Sequence, residues 1–268
     1  MRLAVSNLAW PTAQDAAAFA RLAALGVAGV EVAPTRLAPW EALEAGMLAA
    51  WRARLADAGL AVSSLQAILF GRAEPQLLGD ATAFAALAAH VARVSDIAAA
   101  LGAGVMVFGS PRNRLRGTLA EDAAWALAQE RLHHLAALAA NAGVVLGIEP
   151  VPPIYGADFL TGWREVLRMV QQVDHPGVRV HLDTGCVALN GDAIAEAVAA
   201  SAGWLAHFHA AQPQLGGFDP PAANHAEAAA ALHAAGYAGW LAIEMREPAE
   251  APLAAVETAV RAVRQIYA

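Results

Sequence analysis

The sequence contains little cysteine and few charged residues, and these scarcities exclude several classes of protein. It contains a single cysteine, Cys186, which rules out an internal disulfide framework and fits a reducing, cytoplasmic environment. Only 15% of its residues are charged, and the net charge is -7. Because phosphate contacts need clustered Lys and Arg, this balance argues against nucleic acid as a partner.

Long apolar runs are also missing. The hydrophobic fraction of 58% is inflated by alanine, and no segment is predicted to reach the roughly 20 apolar residues that a bilayer span needs. The first residues, MRLAVSNLAWP, are interpreted as a strand and not as a signal peptide, because the apolar run is short and no small-residue cleavage site follows it. We therefore expect no membrane partner.

Eight short apolar segments, each followed by a helical pattern, are predicted to be strands. Most lack strict alternation, which is typical of parallel strands buried on both faces. Glycines recur between a helical pattern and the next apolar segment, as in LAALGVAG and AANAGVV, which indicates helices that end at a glycine. The predicted strands are Leu3–Val5, Gly29–Val32, Ala61–Leu65, Gly104–Phe108, Val144–Ile148, Val178–Leu182, Trp204–Phe208 and Trp240–Ile243.

This repeating pattern predicts one domain, residues 1–268, folded as a single (β/α)8 TIM barrel. The length is close to the ~250 residues typical of that fold, and no linker or shift in composition divides the chain. A doubly wound open sheet is the alternative. It is less favoured because SNLAWP, and not a glycine-rich nucleotide loop, follows the first predicted strand.

Four predicted strands carry a potential metal ligand at or just beyond their C-terminal ends. These are Glu149, Asp183, His209 and Glu244, spaced by roughly one strand plus one helix. Strand ends of a parallel barrel meet at one face, so the four side chains are expected to converge. Buried carboxylates converge only where a cation or protons neutralise them. Each residue alone could be a solvated or structural group, but their joint occurrence favours one site.

The motifs IEP, HLDTG, HFH and IEM, in this order, resemble the xylose isomerase-like TIM-barrel superfamily. The similarity covers the whole chain and is closest to the sugar phosphate isomerase/epimerase group, which includes ketose 3-epimerases, hydroxypyruvate isomerase and inosose dehydratase. It implies that Glu149, Asp183, His209 and Glu244 bind a divalent ion, with His207 as the alternative to His209. Strand alternation places His207 on the same side but one layer deeper.

The resemblance implies a metal-dependent isomerase or epimerase of carbohydrate metabolism. Three oxygens and one nitrogen suit Mn²⁺ or Mg²⁺, with Co²⁺ and Zn²⁺ as alternatives. Such an ion would polarise the carbonyl of a sugar or sugar-like hydroxy-ketone. Glu149 and Glu244 would remove and return an α-proton through an enediolate. Return to the opposite face of the same carbon gives an epimer, and return to the neighbouring carbon gives an isomer.

Further residues near the predicted strand ends are candidates for binding a carbohydrate. Aromatic faces with amide and hydroxyl groups suit a polyol, although aromatic side chains also commonly pack in a barrel mouth. An arginine there could bind a phosphate or carboxylate, or be solvated. No glycine-rich phosphate nest follows the last strands, which favours a non-phosphorylated sugar or sugar acid. The candidates are Asn7, Trp10, Gln66, Phe108, Arg112, Tyr155, Asp158 and Cys186.

The reaction is less constrained than the metal site. At Cys186 and Leu215 the chain departs from ketose 3-epimerases, which carry a histidine and an arginine there. An inosose-type dehydratase, which would expel a β-hydroxyl after the same proton abstraction, and a non-catalytic sugar-binding barrel are the alternatives. A hydrolase resembling endonuclease IV would need more metal ligands and a basic groove, which an acidic chain does not favour. A homo-oligomer formed through rim loops is compatible with the sequence.

Overall fold

The protein is a single (β/α)8 TIM barrel, as the sequence predicts. The computed structural model describes all 268 residues, and its eight strands pair in parallel and in chain order, with the last closing on the first. The strands are β1 (Arg2–Ser6), β2 (Gly29–Val32), β3 (Ala61–Leu65), β4 (Val105–Phe108), β5 (Val145–Ile148), β6 (Val178–Asp183), β7 (Leu205–Ala211) and β8 (Trp240–Glu244).

Nine helices surround the barrel. The glycine signals act as expected: α3, for example, is capped by the Asp80 side chain, which accepts a hydrogen bond from the Ala83 amide, and it ends at Gly102 in the left-handed region (φ 82°). The helices are α1 (Asp15–Ala24), α2 (Ala45–Asp57), α3 (Ala81–Leu101), α4 (Glu121–Asn141), α5 (Trp163–Val173), α6 (Thr184–Leu189), α7 (Ile194–Ser201), α8 (His225–Ala234) and α9 (Pro252–Tyr267).

Helix α3 is long and apolar enough, by length and composition, to cross a membrane. The prediction that no segment has this property was therefore wrong. The reason is alanine, which raises the mean hydropathy of the helix without forming an uninterrupted run of large apolar side chains. Leu87, Val91 and Val94 are buried in the main hydrophobic core, so this helix contributes one face to the packing around the barrel.

The strands extend further toward the site than the sequence predicts. β7 continues past Phe208 to Ala211, so His209 lies inside the strand, and Asp183 and Glu244 are the last residues of β6 and β8. In the parallel ladder Asp183 pairs with His209. The ladder therefore fixes the backbone of three of the four candidate ligands, which limits where their side chains can point.

Two different environments lie on the two sides of the strands. Outside the barrel, strand residues pack against the helices in one hydrophobic core of 67 buried residues. The interior near the C-terminal strand ends is instead rich in buried polar groups. These are Ser6, Glu31, Ser64, Gln66, His181, His207 and His209. Since buried polar groups need partners, this region of the barrel must form an organised network.

Candidate metal centre and sugar cavity

The four candidate ligands converge at the C-terminal end of the barrel. One ligand atom each from Glu149, Asp183, His209 and Glu244 can be chosen so that all lie within 4.8 Å of one another. The side chains of Asp183 and His209 are 2% and 1% exposed, and those of Glu149 and Glu244 are 12% and 14% exposed. The two glutamates are therefore the more exposed members of the set.

The ring of His209 turns one nitrogen toward the carboxylates. Its Nδ1 lies 3.1 Å from Glu244 Oε2 and 3.5 Å from Asp183 Oδ2. Asp183 Oδ1 accepts a 2.6 Å hydrogen bond from the Cys186 amide, while Asp183 Oδ2 and His209 Nδ1 are buried without a hydrogen-bond partner. Two orphaned buried atoms facing the same point, among three carboxylates, fit a divalent cation. The residues present thus suit the metal that the sequence implies.

Two neighbours position Glu149, one through its carboxylate and one through its backbone carbonyl. A Cβ atom at Gly109, which follows β4, would lie 1.7 Å from Glu149 Oε2, so the carboxylate occupies space that only glycine leaves free. The guanidinium of Arg114 is fully buried and donates 2.6 Å and 3.4 Å hydrogen bonds to the carbonyls of Glu149 and Phe108. Burial lowers the pKa of Arg114 to about 10, which leaves it charged at neutral pH.

Burial and mutual repulsion shift the pKa values of the carboxylates in the cluster. Burial, and then the charges of Asp183 and Glu244, raise the pKa of Glu149 to about 8. Burial also raises the pKa of Glu244, although the neighbouring His209 opposes the shift. A divalent ion among these groups would favour their ionised forms. Metal binding is therefore expected to release protons from this site.

A hydrogen-bonded network lies beneath the cluster, one layer deeper in the barrel. Its centre is Glu31 of β2, which is fully buried and whose Oε1 accepts a 2.7 Å hydrogen bond from the Ser64 hydroxyl. The Nε2 atoms of His207 and His209 lie 2.9 Å and 3.0 Å from the same oxygen. Burial alone would raise the pKa of Glu31, but His209 and His207 outweigh it and hold that pKa well below its usual range.

A third histidine, His181, lies between the network and the metal cluster. Its ring is fully buried, its Nε2 is 3.5 Å from Glu149 Oε1, and its ring centroid is 4.1 Å from that of His209. Burial and the neighbouring imidazoles keep its pKa well below the usual value, so it is neutral. Ligand atoms of His181, His207 and His209 also lie within 4.8 Å of one another, so by distance alone these three histidines form a second group that could hold a cation.

Sequence reasoning missed Glu31, Ser64 and His181. The available signal was a charged or polar residue inside an otherwise apolar strand, in AGVEVA and VRVHLD. Glu31 in particular lies two residues into a buried strand, where an ionised side chain requires partners. His207 was placed one layer below His209 by alternation, and it lies there in the structure, bonded to Glu31 and not to the carboxylate cluster.

Two cavities open at the metal cluster. One, of about 230 Å³, is lined by residues that include Leu8, Gln66, Phe70 and His209. The other, of about 350 Å³, is lined by residues that include Val151, Tyr155, Cys186, Gln212 and Leu215. Both are lined by Gly109, Pro111, Glu149 and Glu244. A further cavity of about 310 Å³ lies at the opposite end of the barrel, among Arg2, Leu3 and α9, and contains none of the candidate ligands.

Three of the predicted substrate-binding residues line these cavities. Gln66 borders the smaller one, and its amide donates to the Ser6 hydroxyl. Tyr155 and Cys186 border the larger one, and the Tyr155 hydroxyl accepts a 3.1 Å hydrogen bond from the Gln214 amide. Burial raises the pKa of Tyr155 to about 12, so its hydroxyl stays protonated. A carbohydrate in the cavities would meet an amide, a phenol and a thiol.

Five other predicted substrate-binding residues lie elsewhere. Trp10 and Phe108 are buried in the hydrophobic core, and the Trp10 indole donates to Asp15. The Asn7 side chain accepts a 2.9 Å hydrogen bond from the Ala33 amide, which joins the ends of β1 and β2. Asp158 accepts hydrogen bonds from the amides of Arg116 and Gly117 and orders that turn. Arg112 is exposed and borders an outer cavity of about 470 Å³, which adjoins the smaller cavity at Phe70, Ser110 and Pro111.

Fold and site together define a TIM barrel with a candidate divalent-metal centre at its C-terminal end. The chain belongs to the xylose isomerase-like TIM barrel family, whose model matches residues 19–266. This confirms the resemblance inferred from the IEP, HLDTG, HFH and IEM motifs. No curated protein matches the chain.

Several solved structures have the same fold over the full length of the chain. D-psicose 3-epimerase from Clostridium cellulolyticum H10, solved with D-tagatose, is 18% identical with a TM-score of 0.85, and the match covers 100% of this chain and 99% of that one. A D-psicose 3-epimerase solved with D-fructose is 20% identical, with a TM-score of 0.83 and the same coverage. The 3-keto-D-glucoside 4-epimerase of E. coli is 18% identical, with a TM-score of 0.81 and 99% of each chain covered.

Proposed function

We propose that this protein is a divalent-metal-dependent isomerase or epimerase that acts on a sugar or sugar-like hydroxy-ketone. The observation that carries the proposal is the position of Glu149 and Glu244. Both belong to the candidate metal cluster, and both also line the two cavities in which a substrate would bind. Two reachable carboxylates beside one polarising ion are what removal and return of an α-proton require. The neighbouring sugar epimerases support the proposal at the level of the fold.

The metal would be held by Glu149, Asp183, His209 and Glu244, and we propose Mn²⁺ or Mg²⁺. When bound, such an ion supplies Lewis-acid polarisation of the substrate carbonyl, which acidifies the neighbouring C–H. One glutamate then accepts the proton from the α-carbon, and the other donates a proton to the resulting enediolate. Arg114 fixes the backbone of Glu149 by its hydrogen bond to the Glu149 carbonyl. The absence of a side chain at Gly109 leaves room for the Glu149 carboxylate at the cavity wall.

The cavity linings support an uncharged substrate. No arginine lines either cavity at the metal cluster, and the sequence contains no lysine, so neither a phosphate clamp nor a lysine Schiff base is available there. Leu215 and Cys186 stand where the sequence comparison with ketose 3-epimerases expected an arginine and a histidine, and both border the larger cavity. We therefore propose a non-phosphorylated sugar whose contacts differ from those of a ketose 3-epimerase substrate.

Replacing either glutamate tests the acid–base role. With saturating Mn²⁺ and a ketose that the wild-type protein turns over, Glu149→Gln and Glu244→Gln should each lower deuterium exchange at the α-carbon in D₂O by roughly 10²- to 10⁴-fold, because each removes one proton carrier. Bound Mn²⁺ is measured in parallel to separate loss of metal from loss of proton transfer. Glu121→Gln, at an exposed position at the start of α4, is the matched control. If Glu149→Gln or Glu244→Gln exchanges deuterium at the wild-type rate, the replaced glutamate has no acid–base role.

The product of the same incubation distinguishes the candidate reactions. An epimer or isomer that carries deuterium supports the proposal. Loss of water from the substrate, with deuterium in the residual ketose, would indicate the inosose-type dehydratase instead. Saturable sugar binding with no exchange at any Mn²⁺ concentration would indicate a non-catalytic sugar-binding barrel.

A further inference from the structure

We propose that Glu31 is a positioning residue for the metal centre, which sets the orientation and tautomer of His209. The inference rests on the proposed metal site and assigns a role to a residue outside the ligand set. Glu31 lies on β2, on the far side of His209 from the carboxylate cluster. It touches neither cavity. Its direct contact with the ligand set is with the imidazole of His209.

The two ring nitrogens of His209 face different carboxylates. Nε2 lies 3.0 Å from Glu31, and Nδ1 lies 3.1 Å from Glu244 and faces Asp183. A neutral imidazole has one N–H and one lone pair. With Nε2–H donating to Glu31, the lone pair is on Nδ1, where it points at the place a cation would occupy. A carboxylate on the outer nitrogen of a metal-binding histidine is a recurrent way of fixing the tautomer and raising the basicity of the ligand nitrogen.

The surroundings of Glu31 are built to keep its charge in place. The carboxylate is fully buried, and one oxygen accepts from Ser64 and faces the Nε2 atoms of His207 and His209. An ionised buried carboxylate is costly unless it is paired. Here Oε1 makes all of these contacts, while Oε2 lies 3.0 Å from His209 Nε2 and has no hydrogen-bond partner. Ser64 and His207 come from β3 and β7, so three strands hold the acceptor on which His209 depends.

The test is a graded substitution series with Mn²⁺ affinity as its readout. Glu31→Met removes both charge and acceptor at similar volume and should weaken Mn²⁺ binding by about 10- to 100-fold, the usual cost of removing such a partner. Glu31→Gln keeps one acceptor oxygen and should fall between Met and wild type. Glu121→Gln again serves as the exposed control. Affinities are measured by equilibrium dialysis on variants whose circular dichroism shows an intact fold. Weaker binding caused by a general loss of structure is then not attributed to Glu31.

A second measurement needs no substitution. In protein labelled with ¹⁵N at histidine and loaded with diamagnetic Mg²⁺, His209 Nε2 should carry a slowly exchanging, downfield proton, and its Nδ1 should carry none. An unprotonated Nε2, or folded Glu31 variants with Mn²⁺ affinity within twofold of wild type, would overturn the inference while leaving the metal site standing. Two Mn²⁺ ions per wild-type chain, one of them lost in Glu31→Met, would overturn it differently, since Glu31 would then itself be a ligand. Failure of wild type to bind Mn²⁺ or Mg²⁺ would overturn both proposals.

Discussion

At the scale of single residues, the position of the Glu149 carboxylate depends on a neighbour without a side chain. Gly109 has a backbone conformation that any residue can adopt, so the turn itself does not require glycine there. The reason for glycine is instead that a Cβ atom at this position would lie 1.7 Å from Glu149 Oε2. The atom in the way is the free end of a flexible side chain, so an added methyl group would displace the carboxylate more readily than the backbone.

We therefore predict that Gly109→Ala damages the site and spares the fold. The Glu149 carboxylate should move away from Asp183 and Glu244, with Mn²⁺ binding weakened by about tenfold or more, because geometry at a metal site tolerates little displacement. The midpoint of urea unfolding in EDTA should change little. Gly104→Ala, at a glycine next to β4 where an added Cβ meets nothing within 4 Å, is the matched control. Unchanged Mn²⁺ affinity in Gly109→Ala would show that Glu149 can bind the ion from another position.

At the level of residues, the sequence could predict convergence where a strand fixes the direction of the side chain. Glu149, Asp183, His209 and Glu244 were recognised as a set because each lies at or within a strand, and the structure brings them together. Glu31 was missed because its partners, Ser64 on the adjacent strand β3 and His207 on β7, are 33 and 176 residues away in the sequence. Rim residues such as Asn7 and Asp158 were less predictable, because the backbone of an irregular loop decides whether a polar side chain faces a ligand or another amide.

At the scale of elements, a buried histidine joins the loop that borders the larger cavity to two helices. His225 opens α8, its Nε2 lies 2.7 Å from the Gln212 amide nitrogen, and its Nδ1 lies 2.8 Å from the hydroxyl of Tyr267 at the end of α9. Gln212 follows β7, lines the cavity and accepts hydrogen bonds from the amides of Ala222 and Ala223. One neutral imidazole thus orders the β7–α8 loop.

This contact predicts a pH dependence of stability. Burial lowers the pKa of His225 to about 4 in the folded protein, below the value of 6.5 for an unperturbed histidine. The unfolded chain therefore binds the proton first, so the contribution of His225 is fully present above pH 6.5 and is lost as the pH falls toward 4. Between pH 7 and 4.5 the loss should be on the order of 2 kcal/mol in the free energy of unfolding.

Urea unfolding at both pH values checks this prediction, with EDTA present to exclude metal. His225→Gln, which does not titrate, should be less stable than wild type at pH 7 but should lose less stability on acidification. His233→Gln, at an exposed histidine of the same helix, should keep the wild-type slope. Equal pH slopes in wild type and His225→Gln would contradict the assignment.

The strands and helices themselves were predictable because their signals are local. Eight apolar segments, five of them preceded by a helix that ends at a glycine, were enough to predict every strand of the barrel, and errors were confined to the ends. The prediction ended β7 at Phe208, one residue before the polar His209, whereas the strand continues to Ala211. A polar residue does not end the strand there, because the barrel interior is polar at that level.

At the scale of the whole molecule, closure of the barrel is what makes the site. Ligands from β5, β6, β7 and β8 lie side by side on the rim, while Glu31 and Ser64 reach the same region from β2 and β3 only because the sheet closes. The family was recognisable from sequence because these ligands recur in order. The substrate was not, because the larger cavity is lined in part by loop residues such as Tyr155 and Leu215, whose side-chain direction the strand pattern does not set.

The central claim is that the four-residue cluster binds a metal ion that enables α-proton exchange. It is tested most directly by dialysing the purified protein against EDTA and then Mn²⁺, determining bound metal, and incubating both forms with a panel of ketoses in D₂O. We predict about one Mn²⁺ per chain and deuterium uptake at an α-carbon that depends on the metal. Absence of bound metal after reconstitution, or exchange that is equal with and without Mn²⁺, would contradict the account.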